Sequence, residues 1–256
     1  MKTVVCIKQT FDTEEKITLD NGAVSEEGVK FVINPYDEYA LEEAIRLKEQ
    51  FGGEVIAVSL GPDRVEAALR TALAVGADRA VHIREELNGN DEYTSARKLA
   101  AVIKSMEYDM ILCGQMAIDS GASQGGPRLA EELGIAHIAT AVKLRLEDGK
   151  AVVERDVEGD IEVVEASLPL LITAQQGLNE PRYPSLPGIM KAKKKPIDVI
   201  EAEELGLAKE EAEPKTHRVE QRLPPEKPPG RILQGTAEEQ VRQLADLLRN
   251  EAKVIG

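Results

Sequence analysis

Met110-Ile111-Leu112-Cys113-Gly114-Gln115-Met116-Ala117-Ile118-Asp119-Ser120-Gly121-Ala122-Ser123-Gln124-Gly125-Gly126-Pro127 is the stretch that decides the fold class. An apolar run of strand length breaks at Gly114 into a loop of small and polar residues. Pro127 then marks the opening of a helix that turns Leu129, Ala130 and Leu133 inward. Strand, small-residue loop and helix in direct succession form one half of a strand-helix-strand unit.

Working outward, the same unit repeats. Thr3-Val4-Val5-Cys6-Ile7 reads as a short strand ending in polar Lys8-Gln9, and Asn21-Gly22 supplies the positive-φ residues of a small hairpin. Asn34-Pro35 opens a helix: Asn caps, Pro fills the first turn, Asp37 and Glu38 suit its positive end, and Leu41, Ala44 and Ile45 form its buried stripe. Next come strand Glu54–Ser59, helix Asp63–Val75, strand Arg79–Ile83 and a helix from about Glu92 to Ser105. Repeated units of this kind predict a parallel sheet covered on both faces.

After about residue 140 the rhythm changes. Lys143–Leu146 and Ala151–Arg155 flank Asp148-Gly149, Ile161–Ser167 adds a strand, and Leu168–Thr173 is an apolar run able to return to the main sheet. From Asn179 to Pro229 proline and charge dominate, with Pro224-Pro225 and Pro228-Pro229, so an extended chain is expected. Thr236 forms a capping box with Glu239 at the head of a last helix. Its stripe of Val241, Leu244, Ala245 and Leu248 needs a cover. The expected architecture is a doubly wound, mostly parallel α/β sheet of Rossmann-like build, with a small antiparallel excursion and an extended C-terminal arm ending in a helix. Residues 1–190 form the body and 191–256 the arm.

Composition narrows the function. The chain has 256 residues, enough for one large α/β domain with an extension, and 42% hydrophobic residues fit a globular fold. The charge of −14 and 3% aromatic content argue against nucleic-acid binding, which runs on counterion release and base stacking. No apolar run reaches the ~20 residues of a membrane span. The start Met1-Lys2-Thr3-Val4-Val5 opens as a strand, so neither a leader nor membrane insertion is expected, and the location is expected to be cytoplasmic. Cys6 and Cys113 have no metal-ligand spacing and fit a reducing compartment. His82, His137 and His217 are scattered, and no metal site or catalytic acid, base or nucleophile is expected.

In open parallel sheets ligands sit beyond the strand ends where strand order reverses. Cys6-Ile7-Lys8 and Cys113-Gly114 are the chemically similar ends. The Gly114–Pro127 loop reads either as a nucleotide-phosphate cradle or as a turn that needs glycine only for its geometry. No Gly-x-Gly-x-x-Gly and no Gly-x-x-x-x-Gly-Lys-Ser/Thr is present, so the standard dinucleotide and triphosphate cradles are not supported.

Val153-Glu154-Arg155, Glu158-Gly159-Asp160, Glu162, Val164, Pro169 and Leu171-Ile172-Thr173, followed by Asn179-Glu180-Pro181-Arg182-Tyr183, are similar to the signature and the dehydrogenase-recognition loop of the electron-transferring flavoprotein β subunit. The resemblance covers nearly the whole chain and is strongest from Val153 to Lys195. It implies an electron carrier rather than an enzyme: FAD lies mainly on an α subunit, and this chain holds a structural AMP. The implied AMP residues are Cys6 through its backbone, Asn34, Pro35, Tyr36 and Asp37 beside base and ribose, Leu60 through backbone or packing, and the loop Gly114, Gln115, Met116, Ala117, Ile118, Asp119, Ser120, Gly121, Ala122, Ser123, Gln124 and Gly125.

The implied partners are the α subunit of an obligate heterodimer, acyl-CoA-type dehydrogenases of fatty acid β-oxidation, and a downstream quinone-linked oxidoreductase. Arg182, Tyr183, Leu186, Pro187, Ile189, Met190 and Lys191 form the implied docking segment. Taken alone, a loop leucine is more often tucked into its own core; the resemblance makes Leu186 the presented anchor. Lys191, Lys193, Lys194 and Lys195 read as a solvated patch or, with Arg182, as a steering patch for acidic partners. Arg155 with Asp156 or Glu158 reads as a hairpin ion pair or as part of the redox-domain contact; the family usually has Glu where the shorter Asp156 stands. Phe11, Thr13 and Tyr36 fall where the family approaches the flavin, or simply pack in their loops.

Gln115 to Gly121 lacks the Arg-Gln-Ala-Ile-Asp-Gly-Asp of the bifurcating form, which puts FAD in the AMP position, so the non-bifurcating form is favoured. Two further readings are a stand-alone adenine-nucleotide sensor and a nucleotide-activating ligase. The ligase lacks its Ser-Gly-Gly-x-Asp loop after the first strand.

Overall fold

The computed structural model describes residues 1–86, 89–227 and 229–255; Pro228 of the second proline pair lies outside them. The strands are β1 Lys2–Cys6, β2 Gln9–Phe11, β3 Leu19–Asp20, β4 Ala23–Val24, β5 Phe31–Ile33, β6 Glu54–Gly61, β7 Arg79–Arg84, β8 Met110–Gly114, β9 Ala136–Glu147, β10 Lys150–Val157, β11 Asp160–Ser167, β12 Leu170–Ala174 and β13 Asp198–Glu201. The helices are α1 Pro35–Phe51, α2 Glu66–Val75, α3 Glu92–Ile103, α4 Gly125–Leu133, α5 Leu186–Ala192, α6 Lys209–Ala212 and α7 Ala237–Asp246.

Among the described residues one nine-stranded sheet runs β11-β10-β9-β12-β8-β1-β6-β7-β13. From β9 to β13 in that order every pairing is parallel, and the two antiparallel pairings of this sheet are those β10 makes with β9 and β11. The excursion after residue 140 therefore extends the main sheet. β12 returns between β9 and β8, as its unbroken apolar run predicts for a strand buried on both faces.

Alternation along each central strand builds two cores. Val5 and Ile7 join the side chains of α1 and α2, including Leu41, Ala44, Ile45 and Leu69. Val4 and Cys6 join Ala96, Ala100 and Ile103 of α3 with Leu129 and Ala130 of α4. The chain proceeds from β1 to β6 and β7 on one side and then returns to β8 on the other side of β1. Strand order thus reverses between β1 and β8, where Lys8 and Gly114 leave the sheet.

The stretch beyond Asn179 is more structured than its prolines predict. Ser185 caps α5 by accepting from Gly188 N at 3.1 Å, and Pro187 lies in the first turn, where its missing N–H costs nothing. β13 pairs with β7 from Asp198↔Val81 to Glu201↔Arg84 and closes the sheet edge. Arg97 of α3 pairs with Glu211 of α6 and, at 2.9 Å, with Glu132. The expected helix over 63–75 begins as a 3-10 turn, Asp63–Val65.

The arm is fastened at Asp91. One carboxylate oxygen caps α3 by accepting from Thr94 N at 2.9 Å; the other accepts from Lys215 N at 2.7 Å and Thr216 N at 3.0 Å. Partial burial pushes this carboxyl upward, but the amides of Thr94, Lys215 and Thr216 outweigh it and hold it down at about 2. The folded-state value lies below the unfolded one, so its contribution is present above the ordinary carboxylate range and is lost as pH falls toward 2. Asp91→Ala is expected to lower stability by about 1–2 kcal/mol, the usual cost of a lost cap and its charged bonds. Hydrogen exchange at residues 209–216 should speed up with it. Unchanged exchange there would mean the arm is held elsewhere. Beyond this point Val219 and Ile232 are exposed, the Thr236–Glu239 capping box is formed, and Val241 and Leu244 of α7 face solvent.

Candidate functional site

The first turn of α1 enters the crevice between β1 and β8 and ties three segments together. Asp37, 5% exposed, accepts from Lys8 N at 2.7 Å with one oxygen and from Gly114 N at 2.9 Å with the other. Asn34 makes no side-chain cap, contrary to the sequence reading. Its amide instead donates to Met116 O at 2.9 Å and accepts from Ile118 N at 3.1 Å. Lys8 Nζ pairs with Asp119 at 2.6 Å. The inner half of the loop is therefore held by α1 and the end of β1. Gly114 is obligatory at this crossing: a Cβ there would lie 2.3 Å from Asp37 Oδ1 and 2.7 Å from Tyr36 Cβ. Gln115 is fixed from the other flank, its Oε1 accepting from Thr173 Oγ1 and, at 3.2 Å, from Thr140 N.

The outer half turns through Gly121 (φ 62°) and Ser123 (φ 53°) into α4. No side chain caps α4. Gln124, at its cap position, has its Oε1 taken by Arg128 at 2.8–3.0 Å, and the space beside Gly125 is open. A Cβ on Gly126 would lie 2.5 Å from Thr173 Cγ2, so α4 reaches this depth only with glycine there. An uncapped helix amino end above a strand switch point is suited to an anion.

Of the other expected ligands, Pro35 begins α1 and Tyr36 lies against Gly114. Leu60 sits at the end of β6 and packs into the α3–α4 core, and Ala117, Ser120 and Ala122 complete the loop. The Cys6 and Cys113 side chains face that core rather than the crevice. Burial, with help from Asp37, pushes Cys6 up to about 12; burial, Cys6 and Asp37 push Cys113 well above the ordinary thiol range, so neither is a reactive thiolate.

The second candidate surface is the Asn179–Lys195 segment. Asn179 donates to Tyr39 O at 3.0 Å and Glu43 Oε2 at 2.9 Å, and Arg182 binds Glu42 and Glu49, all on α1. Beyond that tie, Tyr183 is 93% exposed and Leu186, the first residue of α5, 79%; Pro187, Ile189 and Met190 of α5 are exposed beside them. Leu186 is therefore presented to solvent rather than tucked into the core. Lys191, Lys193 and Lys194 are exposed, while Lys195 leaves the patch to donate to Ala77 O at 2.6 Å.

The model of the electron transfer flavoprotein domain matches residues 21–205. The chain is 53% identical to the electron transfer flavoprotein subunit beta of Bacillus subtilis over 257 residues, covering 100% of each chain. It is 42% identical to that of Syntrophomonas wolfei, covering 99% of this chain and 98% of the relative, and 41% identical to that of Bos taurus, covering 81% and 84%. The chain belongs to the electron transfer flavoprotein β-subunit family.

Other residues singled out by the flavoprotein resemblance fall elsewhere. Arg155 pairs across the hairpin with Glu162 at 3.2 Å and donates to Ala139 O; the expected Asp156 or Glu158 pairing gives way because register places Glu162 directly opposite. Phe11 packs on Phe31 at 5.1 Å, and Arg64 lies over the Phe31 ring at 4.0 Å. Thr13 lies in the turn after β2. His82 is buried with Nε2 2.8 Å from Gly61 O. Among the described residues no His, Cys, Asp and Glu cluster fits a metal, and no helix is long and apolar enough to cross a membrane. Sequence reading missed Lys8, Thr140 and Thr173 as supports of the flavoprotein loop. Positive φ at Thr140 (59°) has no sequence signal in a threonine.

Proposed function

We propose that this chain is the β subunit of a heterodimeric, non-bifurcating electron transfer flavoprotein that binds one structural AMP and docks acyl-CoA-type dehydrogenases. The observation that carries this reading is the Gly114–Gly125 loop, fastened by Lys8, Asn34 and Asp37 and ending at an uncapped helix. These residues fit the group. Asp37 and Asn34 are consumed in holding the loop, which leaves its backbone amides and the α4 amino end for a phosphate. The one negative charge on the loop is Asp119, which Lys8 neutralises at 2.6 Å.

FAD, when bound mainly by the α subunit, supplies the redox chemistry. This chain's residues bind and orient. Leu186 tethers the dehydrogenase, and Lys191, Lys193 and Lys194 steer an acidic rim toward it. Residues 1–190 carry the nucleotide loop and the docking apex. Residues 191–256 form the arm, leaving the body near Thr216 so that the α7 stripe is covered by the α subunit. The acceptor downstream is a quinone-linked oxidoreductase, and the carrier works in the cytoplasm as part of fatty acid β-oxidation.

Nucleotide released by denaturing the native complex tests this. One AMP and one FAD per copy of this chain are expected. Two FAD and no AMP would make the complex bifurcating, with FAD in this loop. Absence of flavin and of a partner chain would favour an adenine-nucleotide sensor.

A further inference from the structure

We propose that Arg182 is a positioning residue that sets the docking apex from behind, rather than a contact for the dehydrogenase. This rests on the docking role of Leu186. Arg182 lies four residues before Leu186 and carries the charge expected of a partner contact, but its guanidinium is spent internally. Nε donates to Glu42 Oε2 at 2.8 Å, Nη1 to Glu49 Oε1 at 2.5 Å, and Nη2 to Glu42 Oε1 at 3.0 Å and Glu49 Oε2 at 2.9 Å. Its backbone N also donates to Glu42 Oε2 at 3.2 Å. The Glu42 side chain is only 5% exposed, so one carboxylate of the clamp is buried in the body of the protein. Forked geometry of this kind fixes the direction of a chain as well as its distance.

The far side of the apex is pinned as firmly. α5 lies so close to α2 that a Cβ on Gly188 would fall 2.3 Å from Ala74 O. Arg70 of α2 donates to Ala192 O at 2.9 Å and to Lys195 O. Between the two pins run Tyr183, Pro184 and Ser185, leading to Leu186, and the large side chains Tyr183 and Leu186 face water. They have little packing of their own to order them. Their order comes from the pins and from the fixed φ of Pro181 and Pro184. A pre-ordered anchor binds without the entropic cost of freezing a loose loop, so the clamp acts on affinity without touching the partner. α1 carries Asn34 and Asp37 at its start and Glu42 and Glu49 further on. From Asp37 to Glu49 is about 18 Å along the axis at 1.5 Å per residue. The nucleotide loop and the docking apex thus share one rigid reference.

The test uses the assembled complex as the varied electron acceptor of an acyl-CoA dehydrogenase turning over its acyl-CoA substrate, with R182Q, R182K, E49Q and L186A variants. Amide exchange over residues 183–188 is read separately on the same complexes. R182Q is expected to raise KM about tenfold with kcat within twofold, and R182K, which keeps the charge but not the fork, nearly as much. E49Q frees the Arg182 charge instead of removing it, and is expected to raise KM about threefold. Exchange over 183–188 should rise in R182Q, R182K and E49Q. If E49Q leaves KM unchanged or lowers it while R182Q raises it, Arg182 touches the partner and the proposal is wrong. Flat exchange in all three clamp variants overturns it whatever KM does. An unchanged KM in L186A removes the docking reading itself, and the positioning role with it, even where exchange rises. E49Q guards against misfolding of R182Q, because the Glu49 side chain is more than half exposed.

Discussion

Leu186→Ala is expected to raise the KM of the assembled complex for an acyl-CoA dehydrogenase by about 30-fold while leaving thermal stability and nucleotide content unchanged. A leucine moved from full exposure to full burial contributes about 1.5–3 kcal/mol, and central anchors of an interface reach about 2 kcal/mol or more on truncation, which at ~1.4 kcal/mol per decade is a factor of about 30. Leu186 is 79% exposed in the chain alone, so nearly all of that burial is still available to a partner. For the same reason its removal takes little from the fold. Leu186→Asp should act more strongly still, since a carboxylate would have to be desolvated in an apolar pocket. Steady-state kinetics with the complex as varied acceptor, alongside a thermal melt, checks both. A variant that binds its dehydrogenase normally would move the docking apex away from α5.

The second large effect is expected at Asp37. Asp37→Ala leaves the Lys8 and Gly114 amides without their acceptor at the mouth of the crevice. At about 1–3 kcal/mol for each buried group left unsatisfied, the loss is about 3 kcal/mol, or a melting temperature roughly 6–12 °C lower for a chain of this size. The loop from Gly114 loses one of its ties to α1, so nucleotide should be lost from the purified complex as well. A pH signature accompanies this. Burial pushes the Asp37 carboxyl up to about 7, against the opposing pull of the Lys8 amide, Asn34 and the Gly114 amide. The folded-state value exceeds the unfolded one, so between about 4 and 7 the folded chain holds a proton that the unfolded chain does not. The contribution is fully present below that window and is lost as pH rises through about 7. Urea unfolding at pH 5 and pH 8 should therefore show a smaller pH difference in Asp37→Ala than in the parent. An equal difference would assign the pH response to other groups.

Much of the architecture was legible because its signals are local. The strand-helix rhythm from Thr3 to Leu133 emerged as the β1–α4 body, with β8 ending at Gly114, one residue past the expected strand. Asn21 (φ 50°) and Gly22 (φ 79°) make the hairpin turn between β3 and β4 that their residue types call for. Thr236 accepts from Glu239 N as the capping box requires. The segment after Asn179 was less legible. Its prolines suit an extended chain, but Pro187 suits the first turn of a helix equally well, and only the depth at which Gly188 meets α2 selects the helix. β13 has four residues, too few for its own pattern to declare a strand, and exists because the β7 edge has hydrogen bonds to offer.

By itself, then, the sequence determined the strand-helix rhythm of a parallel sheet, the Gly114–Pro127 loop as one of two candidate strand ends and the family resemblance, since each rests on patterns of residue type along the chain. Only the tertiary structure decided how those parts are used. Asn34 is turned away from its own helix to a loop more than eighty residues on. Asp37 serves Lys8 and Gly114 rather than the α1 dipole alone. Arg182 is taken out of the cationic patch by acids 140 and 133 residues earlier. Hydrogen bonds across such separations leave no periodicity or spacing in the chain, because their partners become neighbours only once the two cores have closed around the sheet.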